Sequence, residues 1–143
     1  MNVAAILNEK GRQVVTAGRK QTILEIAQRL SEAKIGSVII TDDKDAVVGI
    51  VSERDIVRHL GTSGQDVLNR PVETCMTTNV ISCQESDTIE EIMAQMTSRR
   101  FRHMPVVEDN NLVGLVSIGD VVKFRIAEAE MEADAMRQYI SAV

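Results

Sequence analysis

Apolar residues recur along the chain with two different periods, and the two periods alternate in the same order twice. Ile23, Ile26, Ala27 and Leu30 fall at i, i+3, i+4 and i+7, one face of an amphipathic helix. Thr22 and Glu25 stand where a capping box starts such a helix. Gly36 follows its end, and Ser37–Ile40 reads as a strand. Asp42–Asp45 has turn chemistry, Ala46–Val51 is the next strand, Glu53–Leu60 is a helix, and Gly61–Gly64 is a loop. Ahead of this unit, Val3–Leu7 is an apolar stretch the length of one helical turn, ended by Gly11. Val14, Val15 and Ala17 read as an extended lead-in strand.

From Pro71 the order restarts. Val80 and Ile81 are expected to form the second lead-in strand, and Thr88 with Glu91 a second capping box. Ile89, Ile92, Met93 and Met96 repeat the helical face, each 66 residues after its counterpart. Arg102–Val107 matches the strand at Gly36–Thr41, Glu108–Asn111 is the second hairpin loop, and Leu112–Val116 is the last strand. Each unit closes on Gly-apolar-apolar-Ser-x-x-Asp: Gly49, Ser52 and Asp55, then Gly114, Ser117 and Asp120, 65 residues later. The chain is therefore a tandem repeat of strand–helix–strand–strand–helix units, an α/β (α+β) fold divided at 1–67 and 68–143. A unit of that size has a marginal core alone, so the halves are expected to pack as one pseudo-symmetric body.

The last helix outruns the repeat. Val122, Ile126, Ala129, Ala133, Met136 and Ile140 step by 4, 3, 4, 3, 4, a short heptad seam. Two readings stay open: the helix lies across its own domain, or it meets a second subunit. Its overrun favours the second.

Composition narrows the class. Of 143 residues 44% are hydrophobic, yet the aromatics are two Phe and one Tyr, so the core must be aliphatic. A net charge of −5 argues against non-specific nucleic-acid binding. Cys75 and Cys83 complete no zinc pattern. No stretch approaches the roughly 18 apolar residues of a membrane span, and the N-terminal apolar patch is too short for a signal sequence. A soluble cytoplasmic protein is the expectation by elimination. A Ser–His–Asp pattern, a metal cluster and a Gly-rich phosphate loop with Lys are all missing from the sequence, which points away from an enzyme.

Ser-x-x-Asp before an apolar run carries two meanings. It is a helix capping box, in which Ser52 and Ser117 cap and Asp55 and Asp120 sit in the first turn. The same geometry is an anion site, with a carboxylate suited to the paired hydroxyls of a ribose. Arg102 offers a planar fork to phosphate oxygens; beside it, His103 reads equally as a strand-end histidine or a polar contact.

Two such units in tandem, with Arg102–Val107 as a middle strand and Met76-Thr77 before the second lead-in, resemble a pair of CBS (cystathionine-β-synthase) domains, a Bateman module, over roughly residues 8 to 127. That resemblance implies two clefts between the repeats that bind adenine nucleotides: AMP foremost, with ADP, ATP, S-adenosylmethionine or NAD(H)-type ligands as the other choices. Carried over by position, one cleft uses Asp120 and Ser117 for the ribose end, Arg102 and His103 for phosphate, and Gln13, Val14, Val15, Thr16 and Gly36 around the base. The other uses Asp55 and Ser52 with Thr77, Asn79, Val80, Ile81 and Ser37. Gly36-Ser37 stands where the second repeat has Arg102-His103, so the clefts are expected to differ in phosphate affinity, with the Asp120 cleft favoured. The resemblance also implies a homodimer and an unknown regulated protein partner. The rival reading is a ligand-free scaffold that recruits a partner through its last helix.

Overall fold

The computed structural model describes residues 1–142. The order is α1 (Val3–Lys10), β1 (Thr16–Gly18), α2 (Ile23–Ala33), β2 (Ser37–Thr41), β3 (Val47–Ser52), α3 (Glu53–Ser63), two short 3₁₀ turns at Gln65–Asn69 and Val72–Thr74, α4 (Ile89–Arg99), β4 (His103–Glu108), β5 (Asn111–Ser117) and α5 (Ile118–Ser141). In the first unit β1 runs parallel to β2, which is antiparallel to β3. In the second, β4 and β5 form the matching hairpin.

Where the third strand of the second sheet was expected, at Val80 and Ile81, the backbone makes only a single parallel bridge, from Cys83 to Val106. The cause is Pro105. In the first unit the N–H of Ile39 donates to the carbonyl of Val15 at 3.2 Å. Pro105 and Ile81 occupy the corresponding positions, and proline has no N–H to give. The ladder therefore starts beyond it, with Cys83 N–H on the Pro105 carbonyl and Val107 N–H on the Cys83 carbonyl. The Thr22 cap also differs from expectation: its hydroxyl accepts from the Glu25 N–H at 3.1 Å, but Glu25 does not reach back. Thr88 and Glu91 make both halves of the box.

Two aliphatic cores form, and each takes a segment from the other half of the chain. The second core joins Ile89, Ile92, Met96, Met104, Val106, Val116 and Val121 to Val3, Ile6 and Leu7 of α1. The first joins Ile23, Ile26, Leu30, Val38, Ile40 and Val51 to Val67, Val72 and Cys75. Short bridges seal the exchange: Asn2 pairs with Thr88, and Pro71 pairs with Thr22 in the mirrored place. A cut at 67/68 thus divides the sequence copies but not the packed cores.

The motif glycines serve this packing. A Cβ on Gly114 would stand 2.7 Å from both methyls of Leu7, and one on Gly49 would run into the Met76 side chain. Each glycine lets a lead-in segment lie flat on its hairpin.

α5 leaves the body after its first turns. Val121 is buried and Arg125 meets Glu90 and Glu128, but Ala129, Ala133, Met136 and Ile140 are all exposed. The reading in which the seam lies across its own domain therefore fails for its C-terminal half.

Candidate functional site

Both motifs form complete capping boxes. Ser52 Oγ accepts from Asp55 N–H, and Asp55 Oδ2 accepts from Ser52 N–H at 2.8 Å and from its hydroxyl at 3.0 Å. Ser117 Oγ accepts from Asp120 N–H at 3.1 Å, and Asp120 Oδ2 accepts from Ser117 N–H at 2.9 Å. The motif is thus a helix start, whatever else it does, and it opens α3 and α5 at the junction of the two repeats.

A cavity lies beside each box. The larger, of about 420 Å³, is walled by Ser52, Asp55, Thr77, Asn79, Val80 and Ile81, with Gly36 and His103 at its back. The smaller, of about 350 Å³, is walled by Gln13, Val14, Val15, Gly36, Ser37, His103 and Ser117. Thr16 lines neither. The structure moves two side chains from the clefts expected of them. Arg102 lines the Asp55 cavity and not the one beside Ser117, and Ser37 does the reverse. Neighbours on an extended chain point to opposite faces, so one residue of offset decides the cleft. His103 lines both, its ring 3.4 Å from where a Cβ of Gly36 would stand, and forms a thin wall between them.

Asp120 itself is missing from the smaller cavity's wall, because Lys10 covers it. Lys10 Nζ donates to Asp120 Oδ2 at 2.7 Å and to the Leu115 carbonyl at 2.9 Å. Burial works to raise the Asp120 pKa, but the hydrogen bonds from Lys10 and Ser117 outweigh it and hold the carboxyl below its ordinary value. The pair is 110 residues apart in sequence, and no local pattern announces it. Arg58, Arg99 and Arg100 on the larger cavity were also missed. The run Arg99–Arg102 was visible, but a basic helix end reads by default as a solvated surface.

His103 is held below its ordinary pKa, first by burial, then by Lys10; Arg102 adds to this, while Glu53 and Asp120 oppose it. The unfolded histidine takes its proton near pH 6.5, whereas the folded one resists. Acidification through that value therefore favours unfolding. Asp120, with a lowered pKa, loses its contribution only below the ordinary carboxylate range. Melting between pH 7.5 and 5.5 should consequently isolate the histidine: His103→Gln should flatten the fall in Tm, and parallel slopes would sink the assignment.

Cys75 and Cys83 are buried, and burial pushes their thiols up to about 11 and about 12, which makes them poor nucleophiles. Among the described residues no group of three or more His, Cys, Asp or Glu comes together to hold a metal, and no helix is long and apolar enough to cross a membrane.

A family profile described as "CBS domain" matches residues 5–62 and again 72–127. A crystallised CBS-domain-containing protein from Agrobacterium tumefaciens is 45% identical, with a TM-score of 0.85 over 87% of this chain and 99% of that one. A CBS domain pair crystallised with 5′-methylthioadenosine and S-adenosyl-L-methionine is 26% identical, with a TM-score of 0.79 over 90% of this chain and 98% of that one. A CBS domain protein from Pyrobaculum aerophilum, complexed with AMP, is 27% identical, with a TM-score of 0.75 over 84% and 89% of the two chains. The matched stretch covers 58%, 61% and 60% of the first curated relatives.

Proposed function

The chain belongs to the CBS-domain family, with two copies in tandem, and from that premise we propose that it is an adenine-nucleotide-binding regulatory module. A ligand seated between the repeats biases the angle between them, or between subunits, to the extent that it prefers one arrangement. One observation carries this reading: each capping box stands at the edge of a cavity of several hundred Å³ between the repeats, and relatives of the same fold are crystallised with AMP or with S-adenosyl-L-methionine. The box leaves Asp55 Oδ1 only a 3.7 Å contact with Arg58, so a carboxylate oxygen is open to ribose hydroxyls. The candidate ligands are AMP, ADP, ATP, S-adenosylmethionine and NAD(H). Cytoplasmic residence fits two buried, reduced thiols.

Thermal shift against AMP, ADP, ATP, NAD(H) and S-adenosylmethionine tests it. A ligand at about 100 times its Kd adds about 2.7 kcal/mol to stability, a rise of several degrees in Tm. No shift with any of them overturns the nucleotide reading and leaves the ligand-free scaffold.

The exposed apolar side chains of α5 support a homodimer, with Val122, Ile126 and Ile140 between 42% and 69% exposed. Ile126→Asp should convert the dimer to a monomer in sedimentation. A parent chain that already sediments as a monomer would remove this part of the proposal.

A further inference from the structure

The two clefts differ most in cationic charge, and the arginines line the Asp55 cleft rather than the Asp120 cleft that the sequence favoured. Arg54 and Arg58 reach the Asp55 cavity from α3, and Arg99, Arg100 and Arg102 reach it from the turn between α4 and β4. Carried across the repeat's 65- and 66-residue offsets, these five positions become Gly119, Lys123, Ala33, Lys34 and Gly36. Two lysines thus stand where five arginines do, and Lys123 is paired with Glu9 at 3.3 Å. Within the described residues Arg54, Arg99, Arg100 and Arg102 make no ion pair. The cavity wall opposes the five with two carboxylates, Glu53 and Asp55. In a chain of net charge −5, this is a local reversal of sign confined to one cleft.

A monophosphate carries at most two charges, and one or two guanidinium forks satisfy its oxygens. The remaining arginines would then face nothing. A longer phosphate chain supplies the missing charge, and the cavity it would enter is walled by both sets, one from each repeat. We infer that the Asp55 cleft takes a nucleoside di- or triphosphate in preference to a monophosphate, its phosphate chain spanning from the α3 arginines to those of the α4–β4 turn. The inference rests on the nucleotide reading above and adds the ligand's charge class and its cleft.

Arg100 supplies a clean test. It holds a left-handed conformation at φ 58°, which a non-glycine residue adopts at a cost and glycine adopts freely. Arg100→Gly therefore removes a cation without straining the fold, and should melt no lower than the parent. Calorimetric titration of the full chain with AMP, ADP and ATP, at fixed ionic strength and without magnesium, reads the rest. ATP is expected to bind at least about tenfold tighter than AMP, as charge-assisted hydrogen bonds to the added phosphates require. Arg100→Gly and the double variant Arg99→Gln/Arg102→Gln should each close most of that gap by weakening ATP more than AMP. Equal affinity for AMP and ATP, or a gap that survives both variants, overturns the charge inference and leaves the nucleotide reading intact. Binding of none of the three overturns both.

Discussion

Asp55→Ala is expected to weaken nucleotide binding by about a hundredfold while lowering stability by only about 1 kcal/mol. The two effects separate because the carboxylate's two oxygens have different partners. Oδ2 is spent on the Ser52 N–H and hydroxyl. Losing it orphans one N–H at the start of α3, but the Ser52 hydroxyl still accepts from the residue 55 N–H, so about 1 kcal/mol is the scale of the loss. Oδ1 has no closer partner than Arg58, on a residue that lines the cavity. A charged acceptor lost from a pair of ribose hydroxyls is worth about 1.5–3 kcal/mol for each hydrogen bond, which gives the hundredfold. Calorimetry for binding and a thermal melt for the fold check the two numbers independently. A variant that melts far below the parent yet keeps its ligand response would reduce Asp55 to a cap and nothing more.

Gly114→Val is expected to cost about 3 kcal/mol or more, the upper end of what overpacking a core costs. The added Cβ meets Leu7 at 2.7 Å, and Leu7 is fully buried among Ile6, Val3 and the second core, with no room to retreat. α1 must lift away, taking Val3, Ile6 and Leu7 out of the core and Lys10 off Asp120. Chemical denaturation should show the loss, and the cleft walled by Gln13, Val14 and Val15 should fail with it. Gly49→Ala is the control. Its Cβ meets the flexible thioether of Met76, which has other rotamers to take, so about 1 kcal/mol is expected there. Equal melting of Gly114→Val and the parent would mean that α1 is not docked as described.

How far the sequence could be read follows from the range of the interactions involved. The helices of both repeats were legible because their buried faces recur every three to four residues, as Ile23, Ile26 and Leu30 do, and Ile89, Ile92 and Met96 after them. The hairpins were legible from turn residues between apolar runs. The missing strand at Val80 and Ile81 was not, although Pro105 stood in plain view. Its effect depends on which carbonyl faces it across the sheet, and that is a fact of register. The same limit hid the exchange of Arg102 and Ser37 between cavities. The Lys10–Asp120 pair and the convergence of α3 arginines with those after α4 depend on contacts between repeats, which periodicity within a repeat cannot supply. Ser-x-x-Asp was read as a cap or a ribose site; in the structure the cap is present, and it leaves Asp55 with an oxygen to spare.

The swapped lead-ins set an order of assembly. α1 fills the core built by residues 83–121, so it is made before any other part of the core that it completes. During synthesis its buried face has no partner until the second hairpin emerges, and Leu7 finds Gly114 only after 106 intervening residues. The first core in turn waits for Val72 and Cys75. Closure over such separations is slow compared with local helix formation, and an apolar helix left waiting invites capture by other chains. The first repeat made alone, ending before Pro71, would therefore carry an unplaced helix and an unfinished core at once.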